Sequence, residues 1–198
     1  MSTVTLPATF TPRNCRLTLS TNQRVVGSPF GGSEQAIDLL NDRWLLSCEL
    51  AEGCFSDGAW REAWIDSLRG QVNTVALYHF AKPAPRGTVR GTLTLAASAA
   101  RGANSLSITG CSPANGTLLA GDMLGVGGLL VRVQSDCAAV DGAITVPIVN
   151  RLRAAQSSAA AVTWNMPTAP FRLLSNTGVD YGQGRVSATS FDFGEAII

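Results

Sequence analysis

Lysine and histidine are all but missing from this 198-residue chain, which has one of each, Lys82 and His79. Charged residues of every kind reach only 15%, the formal net charge is +1, and no run of one sign occurs. These shortages exclude whole classes of function. Without a basic stripe there is no electrostatic footprint for nucleic acid or for an anionic membrane surface, so no nucleic-acid sequence recognition is expected. No apolar run approaches the roughly 18 residues of a membrane-spanning helix, so membrane insertion is not expected either. The opening MSTVTLPATFTP lacks both the basic and the apolar segments of a secretory leader. Synthesis and assembly in a cytosol are expected.

The chemistry-bearing residues are equally sparse. A single histidine means that any Ser/His/Asp or Cys/His mechanism must use His79. That residue lies between Tyr78 and Phe80 in a strand-like run, with no GxSxG near it, and reads as structural. Five cysteines, Cys15, Cys48, Cys54, Cys111 and Cys137, show no CxxC or Cys/His ligand spacing and read as reduced, mostly buried small apolar residues. Asp122, Asp136 and Asp141 are not spaced as a Ca²⁺ loop and suit turns and caps. The glycines of GVGG at 125 to 128 lead into LLVRV, a strand, whereas a dinucleotide fingerprint leads from a strand into a helix. Glu34, Glu52 and Glu62 form no recognisable acid/base pair. No catalytic residue, cofactor site or metal site is assigned, and the chain is not expected to be an enzyme.

What the sequence does contain is a β pattern around one helix. SDGAWREAWIDSLRG, Ser56 to Gly70, predicts a helix over 57–69 with Ser56 or Asp57 as N-cap and Gly70 as the left-handed stop. Trp60, Trp64 and Leu68 share one face with Ile65 beside them, and Arg61, Glu62, Asp66 and Arg69 are expected to turn outward. Before it, residues 1 to 12 read as a loose arm, 13 to 26 as a strand and 27 to 33 as a turn. Arg43 to Leu50 is a clear strand, with Trp44, Leu46, Cys48 and Leu50 on one face. After the helix a strand is expected through QVNTVALYHFA, broken by the prolines of KPAPRG at 82 to 87.

Composition shifts near Gly91 towards Ala, Gly, Ser and Val, with short β segments and an Asp141–Gly142 turn signal. The stretch 91–164 therefore reads as a small β-barrel inserted into a larger β domain made of 1–90 and 165–198. Two further strands close the chain, with Phe191 and Phe193 on one face. The expected fold is mainly β, an antiparallel barrel or sandwich flanked by one α-helix, carrying an inserted small β-barrel.

This order of segments, with WIDSLRGQ closing the helix, GTLLAGDMLGVGGLLVRV in the barrel, then PFRLLS and a terminal FDFGEAI, resembles the distal tail proteins of long-tailed siphophages. The resemblance implies a ring-forming domain of tail-tube type, a hexameric ring (a trimer being the other option) at the tail tip, and tail tube, hub and fibre proteins as partners in the virion. Many such proteins carry the extra module at the C-terminus, whereas here it is inserted. Low charge density and neutral faces suit a ring subunit, and arginine in place of lysine suits interface ion pairs. The turn at 27 to 33 and the arm at 1 to 12 are the candidate contacts between subunits. Two readings stay open beside it: a saccharide- or receptor-binding module in 91–164, for which Trp164 is the one aromatic at hand, and another tube-fold component such as a tail terminator.

Overall fold

A computed structural model of the chain describes residues 2–175 and 177–197. The first part of the chain forms β1 (Thr3–Val4), β2 (Asn14–Ser20), β3 (Gln23–Gly27), β4 (Glu34–Asp38), β5 (Arg43–Leu50), β6 (Gly53–Cys54), α1 (Phe55–Leu68) and β7 (Thr74–Leu77). The middle forms β8 (Leu93–Leu95), β9 (Ser105–Thr109), β10 (Thr117–Leu118), β11 (Met123–Val126), β12 (Leu129–Arg132), β13 (Cys137–Ala138), β14 (Ala143–Pro147) and β15 (Ala161–Thr163). The end forms β16 (Ala169–Leu173), β17 (Tyr181–Gly182), β18 (Arg185–Val186) and β19 (Thr189–Glu195). The fold is mainly β with one helix and a curled main sheet.

That main sheet runs β1-β7-β16-β19-β5-β2, antiparallel except for the parallel pair β1 and β7. Alternation decides which side is core: Trp44, Leu46, Cys48 and Leu50 of β5 and Phe191 and Phe193 of β19 are buried, and their neighbours Ser47 and Asp192 face out. α1 lies over this face. Phe10, Phe191 and Phe193 surround the Trp64 ring at centroid distances of 5.0, 5.7 and 6.2 Å, and Trp64 Nε1 donates to the Thr5 carbonyl at 3.2 Å.

The helix differs from expectation in its N-cap and on one face. Its N-cap is Cys54, not Ser56 or Asp57; Asp57 is the third helical residue and its carboxylate accepts from the Cys54 amide at 2.8 Å. At the other end Gly70 takes the expected left-handed conformation at C′, φ 63°, and Arg69, the C-cap before it, is left-handed as well; Asn73 Nδ2 donates to the Ser67 carbonyl at 2.9 Å. Arg61 does not turn outward. It is buried on the same face as Gly58, Trp64 and Leu68, and its guanidinium donates to the Ala51 and Ser187 carbonyls and to Thr189 Oγ1. Trp60 is displaced to the edge of the buried stripe as a result.

The segment 1 to 12 is not a free arm. Thr3 and Val4 pair with Thr74 and Val75, and Phe10 inserts into the aromatic core, where it also meets Phe80 at 5.4 Å. An apolar side chain of this size finds more buried area against its own sheet than in solvent. The expected strand over 13 to 26 is divided: the chain bends at Thr21 and Asn22, whose amide donates to Asp42 Oδ1 at 2.9 Å, before β3 begins. The strand expected through 71 to 81 is confined to Thr74–Leu77.

β7 and β16 are adjacent antiparallel neighbours, so the chain leaves and re-enters the main sheet at one place. Between them β8 to β15 build a second sheet, ordered β12-β11-β15-β8-β9-β14. A bridge between Val133 and Ile148, with hydrogen bonds Gln134 N to Pro147 O and Val149 N to Arg132 O, joins its two outer strands and closes a six-stranded barrel. The barrel has its own core, including Leu93, Leu95, Leu106, Ile108, Leu124 and Val131. Two of its residues, Met123 and Leu130, point the other way and belong to the core of the main body.

Polar groups complete that junction. Trp44 Nε1 and Asn150 Nδ2 both donate to the Leu130 carbonyl, at 2.9 and 2.8 Å, and the Arg132 guanidinium lies 4.5 Å from the Trp44 ring centre. Glu195, almost fully buried, accepts from the Trp44 amide at 3.0 Å and from both terminal nitrogens of Arg153. Removing one partner of a buried pair strands the other charge. Two expectations follow for denaturant unfolding. Trp64→Ala lowers stability by about 3 to 5 kcal/mol. Arg153→Met lowers it by about 3 to 5 kcal/mol, and adding Glu195→Gln in the same chain recovers part of that loss.

Candidate assembly surface

QRVVG and EQAID each alternate weakly and are separated by SPFGGS, a composition that folds back as a hairpin. In the structure β3 and β4 pair antiparallel from Gln23 opposite Asp38 to Gly27 opposite Glu34, closed by Ser28 N donating to the Ser33 carbonyl at 3.0 Å. Every residue of both strands is exposed. The ribbon therefore projects from the body, with Val25 and Ala36 on one face, Val26 and Ile37 on the other, and Phe30 at the tip. Phe30 is 100% exposed and Val25 53%.

The base of the ribbon is held where the barrel meets the sheet. Asp42 receives the Asn22 amide, its carbonyl accepts from Arg153, and Arg151 pairs with Asp38 at 3.1 Å. The last pair is about half exposed on both sides, so it orients the ribbon more than it stabilises it. An isolated two-stranded ribbon is only marginally stable in water, and this one leaves its apolar side chains uncovered on both faces. Its surface is neutral in character, with Arg24, Glu34 and Asp38 as its charges.

The other residues singled out in the sequence are spread through the fold. His79 is buried just beyond β7, its carbonyl accepting from the Lys82 amide at 2.8 Å. The Asp122 carboxylate accepts from the amides of Arg86, Gly87 and Leu119 and anchors the prolines that lead into the barrel. Asp136 accepts from the Ala120 amide at 2.7 Å. Asp141 and Gly142 form a two-residue turn, both with positive φ, between Val140 and Ala143. Gly127 and Gly128 do the same between β11 and β12, which is the work of GVGG. Glu34 sits on the ribbon and Glu52 beside β6, apart from Glu62 on α1. Among the described residues no group of three or more His, Cys, Asp or Glu is disposed to hold a metal ion. Trp164 donates Nε1 to the Gly91 carbonyl at 2.8 Å with Arg90 over its ring, closing the barrel at its point of entry rather than offering a free platform.

The turn at 27 to 33 is legible in the sequence, whereas β4 beside it is not. The signal was short: EQAID has only two apolar residues, and they do not share a face. Because the Phe30 side chain is fully exposed, Phe30→Ala leaves unfolding stability within about 0.5 kcal/mol of the parent in a denaturant titration. No protein-family model matches the chain, and a search of curated proteins finds no significant match to it.

Proposed function

We propose that the chain is a structural subunit that assembles with copies of itself, and that the assembly is a ring of a bacteriophage tail tip, joining the tail tube to hub and fibres. The observation that carries the assembly reading is the projecting ribbon of β3 and β4, apolar on both faces and at its tip, with no cover from its own chain. A neighbouring copy supplies that cover in a closed ring, where each subunit presents the same projection to the next. The main sheet adds open edges at β1 and β2, to which further strands can pair. The tail-tip identity rests on the resemblance of segment order described above. It requires no reaction.

The test is the mass in solution, by light scattering behind a sizing column, followed by negative-stain imaging. The parent is expected to elute as a hexamer with a central hole. A Val25→Glu, Ile37→Glu variant is expected to elute as a monomer with unchanged circular dichroism and melting temperature. A parent that stays monomeric at high concentration, both alone and with tail tube protein, overturns the ring.

A further inference from the structure

Cys15 of the edge strand β2 and Cys48 of β5 stand directly opposite each other in the ladder, on the core face of the sheet. Their sulfurs are 3.9 Å apart, with the Cys48 thiol donating to Cys15. Directly opposed residues of antiparallel strands have Cα atoms about 4.5 to 5.5 Å apart, inside the span that a disulfide bridges. Closing the remaining gap to an S–S bond of about 2.05 Å needs side-chain rotation, not strand movement. The two thiols are unequal in access: Cys48 is 2% exposed, whereas Cys15 is half-buried.

His79 and Phe80, in the segment that follows β7, lie near enough to Cys15 to act on its thiol. His79 Nδ1 is buried without a hydrogen-bond partner among the described residues. The Cys48 hydrogen bond, helped by His79 and the Phe80 amide and opposed by burial, holds the Cys15 thiol below the ordinary thiol range. The same hydrogen bond and burial push Cys48 upward, so it stays protonated. One cysteine is therefore prepared as nucleophile and the other as the thiol that follows it.

We infer that Cys15 and Cys48 form a dithiol redox site, oxidised by small disulfides to a bond between β2 and β5. The Cys15 thiolate attacks one sulfur of the external disulfide, forming a mixed disulfide and expelling one thiolate. Cys48 then loses its proton and attacks the Cys15 sulfur, expelling the second thiolate. Two protein thiols are oxidised, one external disulfide is reduced to two thiols, and the protons end on those leaving groups. The bond spans 33 positions and closes the loop that carries the β3 and β4 ribbon, so it fastens the base of that projection.

The test uses the full chain with Cys54→Ser, which removes the exposed thiol of the helix cap, and hydroxyethyl disulfide as oxidant. Peptide mass spectrometry without reduction is expected to find the Cys15 and Cys48 peptides joined with the loss of two hydrogens. The melting temperature is expected to rise by roughly 5 to 10 °C and to return on adding dithiothreitol. With Cys48→Ser added, Cys15 is expected to keep the hydroxyethylthio adduct; should that variant not fold, the peptide map of the parent decides. A stable adduct on Cys15 with Cys48 present overturns the inference. So do two free thiols after a treatment that fully modifies Cys54 in the unaltered chain.

Discussion

The junction around Trp44 is the constraint on which the rest of the structure depends. Its indole is buried, and each of its polar or π features has a separate partner: the amide on Glu195, Nε1 on the Leu130 carbonyl, the ring under Arg132. Through those contacts one residue of the main sheet meets β12 of the barrel with its indole and the last strand of the chain with its amide. The burial of Arg132 disfavours its charged form and lowers its pKa. The Trp44 ring and the Leu17 carbonyl, 3.5 Å from Nη2, offset part of that cost. A buried ion pair is weak evidence of net stability but good evidence of a specified geometry, and Arg153 with Glu195 specifies how barrel and sheet sit together.

The same physics explains what could be read from the sequence. Arg43 to Leu50 alternates at every position but Leu45, and the strand observed there has those bounds. Asp141–Gly142 requires positive φ at two positions and is a turn for that reason. The helix was visible because Trp60, Trp64 and Leu68 recur at helical spacing. Its true face was not, because Arg61 is charged and its burial depends on three acceptors supplied by residues 51, 187 and 189. Local pattern carries no information about such distant partners. Phe10 is a similar case, an isolated aromatic between prolines whose place in the core depends on Phe80, beyond β7, and on Phe191 of β19. The assembly surface was legible only as a turn, since exposed apolar residues on both faces of a ribbon have no periodicity that points to one side.

Cysteine illustrates the limit from the other direction. Cysteine spacing shows no ligand or redox motif; Cys54 and Cys137 have no opposed cysteine in the pairing of their strands, and Cys111 lies between strands. Cys15 and Cys48 are far apart in the chain and become neighbours only through the register of β2 on β5. A one-residue slip of that register would send one of the two sulfurs to the opposite face.

The adjacency of β7 and β16 has a mechanical consequence. A load that pulls the barrel away from the main body draws both strands out from the same end, so their mutual pairing is not unzipped. Resistance falls on their outer partners, β1 beside β7 and β19 beside β16, whose ladder bonds lie across the direction of pull and are loaded together in shear. The short parallel contact at Thr3 and Val4 is then the weaker of the two anchors, and the long β19, tied to β5 over six residue pairs, is the one that bears the force.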